Sequence, residues 1–154
     1  MLTQDEIRAL DDGLGRYPKK RSGTVDALKI VQRRRGWISN EVLRDLAEYL
    51  GMTAEELEEV ATFYPLIFRR KVGRHVIRIC DSVSCWIAGS EDIVRRLSET
   101  LGLQLGETTA DGRFTLLPSA CLGACDRAPA LMIDDDLITD WNPADADRIL
   151  ARYP

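Results

Sequence analysis

The four cysteines of this 154-residue chain fall as two close pairs, Cys80-x4-Cys85 and Cys121-x3-Cys125, with 35 residues between the pairs. A fold that uses all four at once must return the chain on itself so that two distant loops meet. Inside a reducing compartment, cysteines grouped this way are more often metal ligands or redox thiols than structural disulfides. A hydrophobic content of 45% gives the chain enough apolar material for a core without disulfide staples.

Iron and zinc both accept tetrahedral sulfur, so four thiolates do not by themselves name the metal. Loop width narrows the choice. A two-residue spacing wraps one ion tightly, whereas the wider x4 and x3 loops leave room for backbone N–H groups to point at bridging sulfides, which favours a [2Fe-2S] cluster. Gly123, at the centre of Cys121-Leu122-Gly123-Ala124-Cys125, can adopt positive φ or let backbone approach sulfur closely. The competing readings are a sulfur-only zinc site, thiol–disulfide chemistry without a C-x-x-C motif, and four free cysteines that merely pack. Cys85 is expected just before a helix opening at Trp86, whose positive end would favour the thiolate.

A formal charge of -4 and a pI near 5.1 argue against a binder of phosphate backbones. The runs Lys19-Lys20-Arg21, Arg33-Arg34-Arg35 and Arg69-Arg70-Lys71 are short, but they give the first half a basic face suited to an acidic partner. No apolar run approaches the roughly 20 residues that span a bilayer, and Met1 is not followed by a basic and apolar leader. The expectation is a soluble, intracellular protein.

Two halves differ in periodicity. Residues 1–70 read as short helices: Thr3-x-x-Glu6 and Thr53-x-x-Glu56 are capping boxes, Thr24 and Ser39 are candidate caps, and Gly36 and Gly51 are stops. Phe63-Tyr64-Pro65-Leu66-Ile67-Phe68 reads as the seam of this region, with a subunit contact as the alternative. From residue 71 the pattern turns to strands. His75–Ile79 runs into Cys80, a helix ends near Leu101-Gly102, Phe114–Leu117 is a strand closed by Pro118, and Ala130–Ile133 and Leu137–Thr139 form a hairpin about Asp134-Asp135-Asp136. Asn142-Pro143 opens a last helix. The order β-α-β, β-β-α implies an α/β fold: an N-terminal helical region, then a thioredoxin-like domain with a four-stranded mixed sheet over 71–154.

Several segments together carry a family resemblance: Gly36-Trp37-Ile38, Val60-Ala61-Thr62-Phe63-Tyr64, Cys80-Asp81-Ser82, Asp111-Gly112-Arg113-Phe114-Thr115-Leu116-Leu117-Pro118 and Cys121-Leu122-Gly123-Ala124-Cys125-Asp126. Over nearly its whole length the chain resembles the 24 kDa, NuoE-type [2Fe-2S] subunits of respiratory complex I, the NADH:quinone oxidoreductase. The resemblance implies that Cys80, Cys85, Cys121 and Cys125 ligate a [2Fe-2S] cluster that exchanges one electron with FMN. It places FMN and the NAD site in a larger NuoF-type partner subunit, and the chain in the cytoplasmic peripheral arm of a membrane-bound complex. No G-x-G-x-x-G fingerprint occurs here, in keeping with a nucleotide site on the partner. The equivalent subunit of an NAD-linked formate dehydrogenase or hydrogenase, and a freestanding thioredoxin-like ferredoxin, remain as alternatives.

Other residues read structurally. His75 is the only histidine, and a Rieske-type centre needs two. Trp37 and Trp86 read as core or interface anchors, the three aspartates as a hairpin turn rather than a calcium loop, and Asp81 and Asp126 as turn formers or loop orienters.

Overall fold

The computed structural model describes residues 1–154, which divide into two compact units, Met1–Lys71 and Val72–Pro154. In the first, α1 (Gln4–Leu14), α2 (Thr24–Arg35), α3 (Asn40–Leu50) and α4 (Ala54–Phe63) pack around Leu10, Leu28, Ile38, Leu46 and Leu57, all fully buried. Helices this short gain most of their stability from such a shared apolar face. Both capping boxes form, at Thr3 with Glu6 and at Thr53 with Glu56, and Ser39 caps α3 through Val42 N–H. Thr24 does not cap α2: its hydroxyl donates to the Arg21 carbonyl, and a 3₁₀ turn over Lys20–Gly23 leads into the helix instead.

Two side chains lock this unit. Buried Glu6 accepts from Arg35 Nε and a second Arg35 nitrogen at 2.5 and 2.6 Å, tying α1 to α2. The Gln32 amide donates to the Leu66 carbonyl and accepts from Phe68 N–H, fastening the segment after α4 onto α2. That segment is no core seam. Phe63 is 77% exposed, Tyr64 and Leu66 are also exposed, and only Ile67 turns inward. The basic face is thinner than expected too, because Arg21, Arg35 and Arg69 pair with Glu56, Glu6 and Glu58.

The second unit is a four-stranded sheet in the order β2-β1-β3-β4, built from β1 (His75–Cys80), β2 (Phe114–Ser119), β3 (Leu131–Ile133) and β4 (Asp136–Ile138). Strands β1 and β2 run parallel, while β3 is antiparallel to both β1 and β4. The segment joining the parallel pair holds α5 (Val83–Ile87) and α6 (Ser90–Leu101), and α7 (Ala146–Leu150) follows β4. Ile93 and Leu97 of α6 and Ile149 and Leu150 of α7 pack with Ile77, Phe114, Leu116 and Leu131 of the sheet in one buried cluster.

Three expectations change here. The helix does not open at Trp86: it runs from Ser90 to Leu101, and a separate helix over Val83–Ile87 precedes it, the two broken at Gly89 with φ of 97°. Pro118 does not close β2, which continues to Ser119; β2 pairs on one side with β1, and an edge strand tolerates a residue without an N–H. Asn142 caps through Ala144 N–H, but a 3₁₀ turn over Pro143–Asp145 precedes α7. His75 is structural as expected, its Nδ1 lying 2.7 Å from Asp134 Oδ2 in the hairpin turn.

Candidate metal centre

Because β1 and β2 are parallel, their carboxyl ends lie side by side, and the chain leaves both strands at the same edge of the sheet. The register pairs Cys80 with Ser119, so the loop carrying Cys121 begins next to the one carrying Cys85. Two backbone bonds fix that junction: Cys80 N–H donates to Ala130 O at 3.1 Å and Asp81 N–H to Ser119 O at 3.0 Å. Open α/β sheets commonly place ligands beyond the carboxyl ends of strands, where such loops converge.

Cys85 lies within α5, not ahead of a helix. The helix turns Cys85 inward, 2% exposed, and turns Val83, Trp86 and Ile87 outward, 70%, 57% and 74% exposed. A cavity of about 500 Å³ opens beside Cys80, lined by Trp86, Val94, Leu105 and Pro118 among others. In the second loop Gly123 takes φ of 81° and its N–H points at Cys121 Sγ at 3.4 Å, while Cys121 Sγ and Cys125 Sγ stand 3.6 Å apart. Buried Ala124 packs with Cys80, Cys85 and Ala130 in a small apolar cluster, which Leu122 and Ala128 flank.

The electrostatics show the loops reaching one another. Burial pushes the Cys80 thiol up, but the N–H groups of Ser82 and Leu122, with Cys85 and the Ser82 hydroxyl, outweigh it and hold Cys80 below the ordinary thiol range. Leu122 belongs to the second loop. Burial and the neighbouring Cys80 raise Cys85, so the expected depression by a helix end is not what governs that thiol. Cys121 raises Cys125, with the Ser84 hydroxyl of the first loop opposing it. No three His, Cys, Asp or Glu side chains gather about one point; the sulfurs come two by two.

The donor set fits a [2Fe-2S] cluster, since two adjoining loops carry two thiols each with N–H groups beside them and no imidazole joins them. Asp81 and Asp126 are exposed beside their cysteines. The Leu122 N–H and the Ala130 carbonyl are invisible to sequence reasoning, because a backbone group carries no residue-type signal. The serines between Cys80 and Cys85 do carry one, as small hydroxyls.

A mixed sheet with two cysteine pairs at one edge defines a ferredoxin-type module on a thioredoxin-like plan. A family model for thioredoxin-like [2Fe-2S] ferredoxins matches residues 10–154. The chain is 48% identical to the NuoE-type subunit of the Pseudomonas aeruginosa NADH-quinone oxidoreductase, over 99% of its length and 92% of that protein's. It is 45% identical to the corresponding protein of Escherichia coli K12, again covering 99% of this chain and 92% of the relative. Among solved structures, an NAD+-reducing [NiFe]-hydrogenase superposes with a TM-score of 0.70 at 26% identity, over 86% of this chain and 23% of the hydrogenase chain. The chain belongs to the thioredoxin-like [2Fe-2S] ferredoxin family, in its branch of NuoE-type electron-transfer subunits of NADH-quinone oxidoreductase. No helix is long and apolar enough to cross a membrane.

Proposed function

We propose that Cys80, Cys85, Cys121 and Cys125 hold the [2Fe-2S] cluster, and that the chain exchanges single electrons with FMN in a partner subunit that also binds NADH. The observation that carries the reading is the meeting of the two loops at the carboxyl ends of β1 and β2, where Ala124 of the second loop packs against Cys80 and Cys85 of the first. The wide x4 and x3 loops, with the Gly123 N–H aimed at sulfur, support a two-iron cluster over one zinc, because backbone donors serve the sulfurs of an iron–sulfur centre. When bound, the cluster supplies one-electron capacity beside a flavin that receives electrons from NADH in pairs.

The chain's own residues do the rest. The N–H groups of Ser82, Leu122 and Gly123 face the sulfurs of Cys80 and Cys121, stabilising negative charge there and setting how readily the site accepts an electron. Val83, Trp86 and Ile87 form an apolar face on the helix that bears Cys85, and covering it with the flavin-bearing subunit would exclude water from the approach to the site. The helical region 1–70 adds docking surface, with Phe63 and Tyr64 as exposed anchors. On this reading the chain sits in the cytoplasmic peripheral arm of the respiratory complex. The hydrogenase likeness favours the same role in an NAD-linked hydrogenase as second reading, but at 26% identity it is weaker support than the 48% relative.

Iron and sulfide counts on the anaerobically purified protein, with absorption and reduced-state EPR spectra, test the ligand assignment. Two irons and two sulfides per chain are expected, with the wild-type spectrum lost when each cysteine is changed singly to serine. A colourless protein with one zinc would overturn it.

A further inference from the structure

The two cysteine pairs differ in access. Cys80 and Cys85 are 1% and 2% exposed, Cys80 held at the end of β1 by its bond to Ala130 O and Cys85 within α5. Cys121 and Cys125 are both exposed, and their sulfurs stand 3.6 Å apart. A disulfide needs about 2.05 Å, so a contraction of about 1.5 Å would close them. The loop between them can supply that movement. Gly123 already sits at φ of 81° and the space where its Cβ would be is empty to 4 Å, so the backbone can turn there without meeting a neighbour while buried Ala124 keeps the loop anchored.

We propose that Cys121 and Cys125 form a dithiol–disulfide site in the cluster-free chain, closed by exchange with a low-molecular-weight disulfide such as oxidised glutathione, while Cys80 and Cys85 stay reduced. One thiolate of the exposed pair attacks the glutathione disulfide, forming a mixed disulfide and releasing one glutathione. The second cysteine then attacks the protein sulfur of that bond and expels the other glutathione. Two protein thiols are oxidised, one glutathione disulfide is reduced to two thiols, and the two protons pass to the released thiolates. The internal step wins because the second sulfur is held beside the first. Oxidation stops there, since thiol–disulfide exchange requires the incoming disulfide to reach the sulfur, and Cys80 and Cys85 are buried.

The consequence rests on the proposed ligand assignment: the closed bond protects two ligands from irreversible oxidation to sulfinic acid, and has to be reduced before the chain can be loaded. The test uses the full-length chain, freed of metal by chelation and treated anaerobically with oxidised glutathione. Alkylation and peptide mapping should give two modified thiols, Cys80 and Cys85, and a cross-link joining Cys121 to Cys125, with the far-UV circular dichroism unchanged. In Cys125→Ser, glutathione should remain attached at Cys121; in Cys85→Ser, the Cys121–Cys125 bond should form as in wild type. A Cys80–Cys85 bond, four alkylated thiols after treatment, or glutathione persisting on wild-type Cys121 would each overturn the proposal. Iron and sulfide counts on chain that was never oxidised separate its failure from failure of the ligand assignment.

Discussion

Glu6 to Gln is the substitution whose effect the structure sets most closely. Glu6 is 3% exposed, and its carboxylate accepts from Arg35 and from Thr3 N–H, the Thr3 bond being half of the capping box. The Arg35 hydrogen bonds chiefly, against the opposing cost of burial, hold its pKa at about 2 rather than 4.5. A carboxyl whose folded pKa lies below its unfolded one stabilises the fold above the unfolded value, and that stability is lost as pH falls from about 4.5 toward about 2. The shift corresponds to about 3 kcal/mol at pH 7, of which about 2 is lost by pH 3. Arg35 is 28% exposed and partly screened by water, so about 2 to 3 kcal/mol is expected at neutral pH. Glutamine serves in a capping box as well as glutamate does, so the substitution removes the charge while leaving a group able to meet Thr3 N–H. Urea unfolding followed by far-UV circular dichroism, which weights the helical unit, should show a large gap between wild type and variant at pH 7 that mostly closes by pH 3. Parallel loss of stability in the two proteins over that range would refute the reasoning.

Gly73 to Ala would set a Cβ 2.9 Å from the backbone of Arg113 and Phe114, where nothing can rotate aside. A cost of about 1 to 3 kcal/mol is expected, read as a lower urea midpoint at unchanged slope. Ser39 to Ala removes the acceptor for Val42 N–H at the start of α3 and should cost about 1 kcal/mol in the same measurement, whereas Ser39 to Gly should cost only a few tenths. Replacing Trp86 by Ala and Ile87 by Glu together should leave iron content intact yet weaken binding to the flavin-bearing subunit by about a hundredfold, measured by titration calorimetry. Wild-type affinity in that double variant would remove α5 from the docking face.

Local signals are legible in the sequence wherever one residue type has one dominant backbone use. Thr3 with Glu6, Thr53 with Glu56 and Ser39 cap as their spacing implies, and Gly36, Gly51 and Gly102 stop their helices at φ of 80°, 66° and 65°. Thr24 fails as a cap because a threonine hydroxyl can donate as readily as accept, and here it bonds back to Arg21. The five residues of α5 escape because Val83, Trp86 and Ile87 fall on one face of a single turn, too few to show a period. Phe63 to Phe68 misleads for a different reason: aromatic composition is common to cores and to interfaces, and only the Gln32 bonds to Leu66 and Phe68 decide which side chains turn outward. The four cysteines are visible from the start; the amide of Leu122 that joins their loops is not.

The site's geometry depends on a register that is pinned at its far end. A slip of one residue between β1 and β2 would shift the second loop by about 3.3 Å and turn its side chains to the other face of the sheet. Thr115, 2% exposed, opposes that slip: its hydroxyl oxygen accepts from Gly73 N–H at 2.6 Å on one side and meets the Thr108 hydroxyl at 2.7 Å on the other. Both contacts need a hydroxyl at this position in the pair, because a one-residue shift would bury an apolar side chain there and leave the Gly73 N–H without its acceptor. From Thr115 the chain has four residues to Ser119, opposite Cys80, and two more to Cys121. A polar contact at the start of the strands therefore sets where the exposed cysteine pair emerges at their end.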